Sequence, residues 1–302
     1  MKHAHITGLI AAPFTPFHPD GSLDTGPVGR LATKLIADGV AGAFVCGTTG
    51  EGPSMSTAER MELAAAWTDA ARDRFRIIVQ VGHASIADAR ALAAHAQSIG
   101  AAAIGCLAPY FLKPKSVEDL VAFCDPIAAA APDLPFYFYH LPSITGVHLP
   151  MADFLASAAG KIPNLAGIKY THEDMLDFSA CLRADGGRYD ILFGRDEMLL
   201  AGLALGARGA IGSTYNYMAP LYHRLMEAFA RGDIASARVA QAQAADIIAA
   251  MLRHGGLPAG KAMMAIAGID CGPVRPPLRD PGATQRESLR RDLEPLGFPI
   301  QT

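Results

Sequence analysis

Lys169 closes the run Leu165-Ala166-Gly167-Ile168-Lys169, a short apolar segment with the pattern of a buried strand. A lysine in that position is either a solvated surface charge or a desolvated amine. Burial disfavours the ammonium form, so a desolvated lysine is partly neutral near pH 7 and nucleophilic. A neutral amine adds to a ketone and forms a Schiff base. A second strand-like run, Phe136-Tyr137-Phe138-Tyr139, alternates two residue types. Alternation sends the two phenylalanines to one face and the two tyrosines to the other, where a buried phenol needs a partner. His140 then points away with the phenylalanines and reads as structural.

Three loops add hydroxyls and carboxylates. Gly47-Thr48-Thr49-Gly50-Glu51-Gly52 sets two hydroxyls between glycines, either as an ordinary turn or as backbone N–H groups aimed at a carboxylate. Gly194-Arg195-Asp196-Glu197 brings two carboxylates to a helix start, where Asp196 also suits a capping role. Gly212-Ser213-Thr214-Tyr215-Asn216-Tyr217 is a further hydroxyl-bearing loop, and Pro109-Tyr110-Phe111 an aromatic one. There is no H-E-x-x-H, no compact His/Cys/Asp ligand set, no G-x-S-x-G and no nucleotide-binding glycine motif. Lysine without metal ligands points to covalent imine catalysis, with no metal and no separate cofactor.

These residues need a scaffold that brings them together. Strand-like runs are expected at Ile6 to Ala11, Ala43 to Cys46, Arg76 to Val81, Ala103 to Leu107, Phe136 to Tyr139, Leu165 to Lys169, Ile191 to Phe193 and Ala210 to Ile211. Helical stretches fall between them, at Pro27 to Ala37, Thr57 to Arg72, Ala84 to Ile99, Val117 to Ala130, Met151 to Ala158, Met175 to Arg183 and Glu197 to Leu205. Eight β-then-α units predict an α/β fold, a closed (β/α)8 TIM barrel, with a doubly wound sheet as the alternative. In such a barrel the reactive residues stand at the C-terminal ends of the strands, and every loop above follows a predicted strand. After Pro220 the chain turns helical, at Leu221 to Arg231, Ile234 to Arg253 and Ala259 to Ala267, with Pro273, Pro276 and Pro277 breaking it. The expected division is 1–230 for the barrel and 231–302 for a C-terminal helical extension packed on it.

The 302 residues are 51% hydrophobic and 18% charged, enough for a sizeable core. A net charge of -3 offers no footprint for nucleic acid, and no apolar run is long enough to span a membrane. Residues 1–5 lack the charged-then-apolar order of a signal peptide. The five cysteines are odd in number and widely spaced, the pattern of reduced thiols in the cytoplasm.

The chain resembles the pyruvate-dependent class I lyase family that includes dihydrodipicolinate synthase and N-acetylneuraminate lyase. The matches are Leu9-Ile10-Ala11-Ala12-Pro13-Phe14-Thr15-Pro16-Phe17, Gly47-Thr48-Thr49-Gly50-Glu51, Tyr139-x-x-Pro142-Ser143-x-Thr145-Gly146, and Gly167-Ile168-Lys169 with Thr171. The resemblance implies that Lys169 is the Schiff-base lysine, Tyr139 the proton-relay phenol, and Thr48 and Thr49 the holders of the keto-acid carboxylate. Within the family, synthases carry an arginine where this chain has Ile144. Tyr139-His140-Leu141-Pro142, Gly194-x-Asp196-Glu197 and Ser213 with its loop instead look like the sialic acid lyase branch. That likeness implies that Asp196, Glu197 and Ser213 grip the polyhydroxyl tail of a sugar acid, with Thr171 near the reacting carbons and Gly194 and Ile211 among the substrate-binding residues. It implies a homotetramer, with Tyr110 reaching a neighbouring site. Thr48 departs from the serine of many sialic acid lyases, which leaves a related sugar-acid substrate open. The alternatives are another pyruvate-imine enzyme, such as a 2-keto-3-deoxy sugar acid aldolase, a dehydratase or a synthase, and a non-catalytic keto-acid sensor on the same scaffold.

Overall fold

The computed structural model describes residues 4–301, so the outer ends of the two expected regions, 1–230 and 231–302, lie outside the described residues. Eight parallel strands close into a barrel in sequence order: β1 (Gly8–Ala11), β2 (Gly42–Val45), β3 (Arg76–Gln80), β4 (Ala103–Leu107), β5 (Phe136–His140), β6 (Leu165–Tyr170), β7 (Asp190–Phe193) and β8 (Gly209–Gly212). β8 pairs with β1 from Gly8↔Gly209 to Ala11↔Gly212, so the sheet has no edge.

Helices α1 (Val28–Ala37), α2 (Thr57–Ala71), α3 (Ile86–Ser98) and α4 (Val117–Ala128) follow the first four strands. A short α5 (Pro142–Thr145) and then α6 (Met151–Ala158) follow β5, α7 (Met175–Arg183) follows β6, α8 (Leu199–Leu205) follows β7 and α9 (Tyr215–Ala230) follows β8. Their starts are set by local chemistry. The Ser56 and Ser116 side chains accept from the amides of Glu59 and Asp119, whose carboxylates reach back to the cap amides, while Ser85 and Asp174 cap α3 and α7. Beyond the barrel come α10 (Ile234–Arg253), α11 (Leu257–Ile266) and α12 (Ala283–Leu293).

Two apolar layers result. Phe136, Phe138, Leu165, Ile168 and Tyr170 belong to the layer between strands and helices. Ile10, Phe44, Ile78, Tyr137, Tyr139, Leu192 and Ile211 fill the barrel interior. The alternation expected for Phe136 to Tyr139 therefore holds, and the interior Tyr137 hydroxyl finds its partner by donating to Asp190 Oδ2 at 2.9 Å.

Three expectations shift. The helix expected from Leu221 begins at Tyr215, with Pro220 inside it and a kink at Met218 (φ -123°). Pro220 offers no N–H to the preceding turn, so a proline can sit inside a helix when the backbone bends to release it. The helix expected from Glu197 begins as a 3-10 turn over Asp196–Met198, and α8 proper starts at Leu199. α12 lies beyond the expected helices, because its run ATQRESLRRDL buries only Leu289 and Leu293 and carries little apolar periodicity.

Candidate active site

Lys169 owes its direction to an irregularity in β6. The register against β5 passes from Phe136↔Leu165 to Tyr137↔Gly167, leaving Ala166 as an extra residue. Leu165 and Ile168, three apart, both face the outer layer, while Ala166 faces inwards. The shifted phase turns Lys169 into the barrel. Gly167 permits it, since a Cβ there would fall 1.8 Å from the Asp190 carbonyl oxygen.

The Lys169 ammonium nitrogen lies 4.1 Å from the ring centroids of both Phe44 and Tyr139, and those rings meet edge-on at 5.4 Å. The lysine is buried, and burial pulls its pKa down to about 7, with the Asp196 carboxylate acting in the opposite sense. The aromatic faces favour the cation weakly and do not replace lost water. The amine is thus half-neutral near pH 7, the desolvated alternative of the two open in the sequence.

Tyr139 pairs with Lys169 across β5 and β6. Its hydroxyl lies 3.4 Å from Thr48 Oγ1. Burial pushes the phenol up to about 12, with the Thr48 hydroxyl drawing it back. It is therefore protonated near neutrality until a cation forms beside it.

Asp196 is buried at the foot of the 3-10 turn, where its Oδ2 accepts from the Thr214 amide at 2.9 Å and the Thr214 hydroxyl at 2.7 Å. Burial raises this carboxyl to about 6, opposed by the Thr214 hydrogen bonds. It does not cap the turn or the helix that follows it, whose cap positions are Arg195 and Met198. Gly212 makes room for it, because a Cβ there would stand 1.8 Å from Asp196 Oδ1. A Cβ on Gly194 would likewise stand 2.0 Å from Thr171 Oγ1, a buried hydroxyl oxygen without a hydrogen bond among the described residues.

These groups share one cavity of about 320 Å3 at the C-terminal end of the barrel, within the usual size of a small-molecule site. Thr48, Thr49, Tyr139, Lys169, Thr171, Gly194, Asp196, Glu197, Ile211 and Ser213 all line it. Tyr110 does not line it; its side chain is 41% exposed on the loop after β4, beside Phe111 and Leu112. His140 is buried against Tyr170 and His172, and burial with two neighbouring histidines drives its pKa down to about 3, as befits a packing residue.

Part of the wall is not marked in the sequence. Arg195 and Thr214 belong to the loops after β7 and β8, but Ile248, Met251 and Leu252 come from α10, far along the chain. Nothing local marks those three as cavity residues; only the docking of α10 brings them there. The purpose of Glu51 is not marked in the sequence either. This residue has a left-handed backbone (φ 55°) and turns away from the cavity. Its carboxylate accepts from Lys261 Nζ and the Arg275 amide, both at 2.8 Å. Among the described residues no three His, Cys, Asp or Glu side chains are grouped to hold a metal.

Known proteins share this sequence pattern and fold. The chain is 39% identical to N-acetylneuraminate lyase of Mus musculus over 300 residues, covering 97% of this chain and 93% of that protein. It is 38% identical to the enzyme of the same name from Homo sapiens over 298 residues, with the same coverage. Among solved structures, Proteus mirabilis N-acetylneuraminate lyase superposes with a TM-score of 0.95 at 43% identity, covering 98% of this chain and 100% of that one. The Aliivibrio salmonicida sialic acid aldolase gives 0.96 at 40%, covering 98% of both. The profile of the Dihydrodipicolinate synthetase family matches residues 5–296. With the barrel, the inward lysine and this match in agreement, the chain belongs to the dihydrodipicolinate synthetase family.

Proposed function

We propose that this protein is a Schiff-base aldolase that cleaves N-acetylneuraminate reversibly to N-acetylmannosamine and pyruvate. The observation that carries the reading is the buried Lys169 amine beside Tyr139, in a cavity that also holds Asp196 and Glu197. Relatives named N-acetylneuraminate lyase over nearly the whole chain support the substrate.

The neutral amine adds to the keto carbon C2, and the hydroxyl of the resulting carbinolamine leaves as water with the proton of the Tyr139 phenol, giving a protonated imine beside a Tyr139 phenolate. Thr48 and Thr49 hold the carboxylate. Tyr139 takes the proton of the C4 hydroxyl, the C3–C4 bond breaks, and its electron pair passes into the imine to leave an enamine. The aldose departs. Protonation of C3 and hydrolysis then release pyruvate and restore the amine. Covalent catalysis divides one hard step into easier ones, and the imine's positive charge, close to the Tyr139 ring, favours the phenolate that takes the proton. The linkage is the lysine's own, with no external cofactor.

A synthase reading is weaker, because Ile144 lines the cavity and cannot bind a second carboxylate. Two coarser features complete the proposal. The exposed Phe111 (82%) and Leu112 (81%) beside Tyr110 suit burial against another copy, consistent with a homotetramer in which Tyr110 reaches a neighbouring site. Five buried free thiols suit a reducing cytoplasm.

The test is direct. The purified chain should release pyruvate from N-acetylneuraminate, and borohydride with pyruvate should leave one adduct per chain on the Lys169 peptide. An adduct that persists in Lys169→Ala, or none in the wild type, overturns the mechanism.

A further inference from the structure

Arg195 lines the cavity between two carboxylates. Its Nε lies 3.2 Å from Glu197 Oε1, and its terminal nitrogen Nη2 donates to Glu173 Oε1. The other Glu173 oxygen, Oε2, meets His172 Nδ1 at 3.1 Å. A polar chain His172–Glu173–Arg195–Glu197 thus links the loops after β6 and β7. Only Glu197 at its inner end and Arg195 itself reach the cavity.

The arrangement has a chemical consequence. Glu197 is the side chain proposed to accept hydrogen bonds from the sugar tail. Oε1 faces the Arg195 guanidinium as an ion pair without hydrogen-bond geometry, and among the described residues no hydrogen bond engages either Glu197 oxygen. A glutamate has three rotatable bonds, and fixing them costs entropy whenever a ligand binds. Here Arg195 carries part of that cost before the ligand arrives. Its guanidinium is itself held at the far side by Glu173, and a planar fork with several donors suits such a two-sided contact better than a point charge. Arg195 also separates two carboxylates that would otherwise repel.

We propose that Arg195 is a specificity-determining positioning residue: clamped by Glu173, it orients the Glu197 carboxylate by ion pairing and leaves its hydrogen-bonding capacity for the polyhydroxyl tail, and so makes the site select long sugar acids over short 4-hydroxy-2-oxo acids. This rests on the function proposed above. The reacting carbons sit at the Lys169 end, so the clamp acts on the tail and not on imine formation.

The experiment compares N-acetylneuraminate with a short 4-hydroxy-2-oxo acid that ends in a methyl group, in wild type, Arg195→Leu, Arg195→Lys, Glu197→Gln and the double variant Arg195→Leu/Glu197→Gln. Arg195→Leu should lower kcat/KM for N-acetylneuraminate about tenfold, since the ligand must then order the Glu197 side chain by itself. The loss should fall mainly in KM, and the short substrate should lose less than twofold. Arg195→Lys, a cation without the fork, should recover only part of the difference. The double variant should be no worse than Glu197→Gln, since a positioning residue has nothing left to position. Equal losses for both substrates, no change in the long-to-short ratio, or additive losses in the double variant overturn the clamp while leaving the aldolase reading intact. A wild type that prefers the short acid overturns the sialic acid reading and the clamp's selectivity together.

Discussion

At the scale of single residues the site rests on two groups whose ordinary proton affinities have been moved by burial. With a pKa of about 7, Lys169 becomes neutral as pH rises through that value, so the rate of imine formation with pyruvate should rise through about pH 6–8 and level off above it. Rapid-quench borohydride trapping across pH 5–9 checks this, and a midpoint above 9 would mean a solvated lysine. The same shift affects stability. Unfolded, the lysine titrates near 10.5, so between about 7 and 10.5 the unfolded chain binds the extra proton and folding gains stability as pH rises. At or below pH 7 the burial cost is present in full. Lys169→Met keeps the volume and removes the charge, so it should raise the melting temperature at pH 7, with the gain shrinking towards pH 10. Tyr139→Phe keeps the ring over Lys169 and removes the hydroxyl beside Thr48. Melting should change little, while turnover should fall about 100- to 10,000-fold if the phenol moves the proton. Near wild-type turnover in single-turnover assays would remove Tyr139 from that role.

At the scale of elements, glycines at strand ends decide whether the carboxylates and hydroxyls fit. Gly212 closes β8 where a methyl group would stand 1.8 Å from Asp196 Oδ1. Gly212→Ala should therefore push the Asp196 carboxylate off Thr214 and cut kcat/KM for the long substrate by more than tenfold, roughly the loss of one or two charge-assisted hydrogen bonds. Steady-state kinetics with a crystal structure of the variant checks both halves of that statement. The second tie is between elements. Glu51 and Lys261 form an ion pair only 2% and 1% exposed, joining the turn that carries Thr48 and Thr49 to α11. Burial lowers the Lys261 pKa and the Glu51 carboxylate raises it again. Lys261→Ala should cost roughly 3–5 kcal/mol, because it strands the buried Glu51 charge. Denaturant unfolding measures this, and a loss under 1 kcal/mol would show that the turn does not depend on the pair.

At the scale of the whole molecule, the barrel alone does not complete the cavity. Ile248, Met251 and Leu252 of α10 form an apolar wall over the strand ends. The exposed Tyr110, Phe111 and Leu112 mark another surface of unusual apolarity. If that surface is buried between copies, sedimentation should give a mass about four times that of one chain, and Phe111→Asp with Leu112→Asp should shift it to smaller species. A wild type that sediments as a monomer at micromolar concentration would overturn the assembly and, with it, any donation of Tyr110.

Much of this was legible in the amino-acid order. Period-two alternation in Phe136 to Tyr139, Ala-rich helical stretches between short apolar runs, and glycine- and hydroxyl-bearing loops after successive strands follow from local chemistry. Local chemistry therefore determined the eight-fold β/α order and which end of the barrel carries reactive groups. The direction of Lys169 was not local. Leu165 and Ile168 share a face only because Ala166 is left over in the register with β5, and a register between strands exists only once both are paired. The proton affinities of Lys169 and Asp196 were not local either, since they depend on how much water the assembled barrel excludes. Nor was the Arg195 chain, whose members come from the loops after β6 and β7 and meet only when those strands lie side by side. Local sequence determines which backbone conformations are cheap; tertiary packing decides which distant groups share a cavity and how strongly each holds its proton.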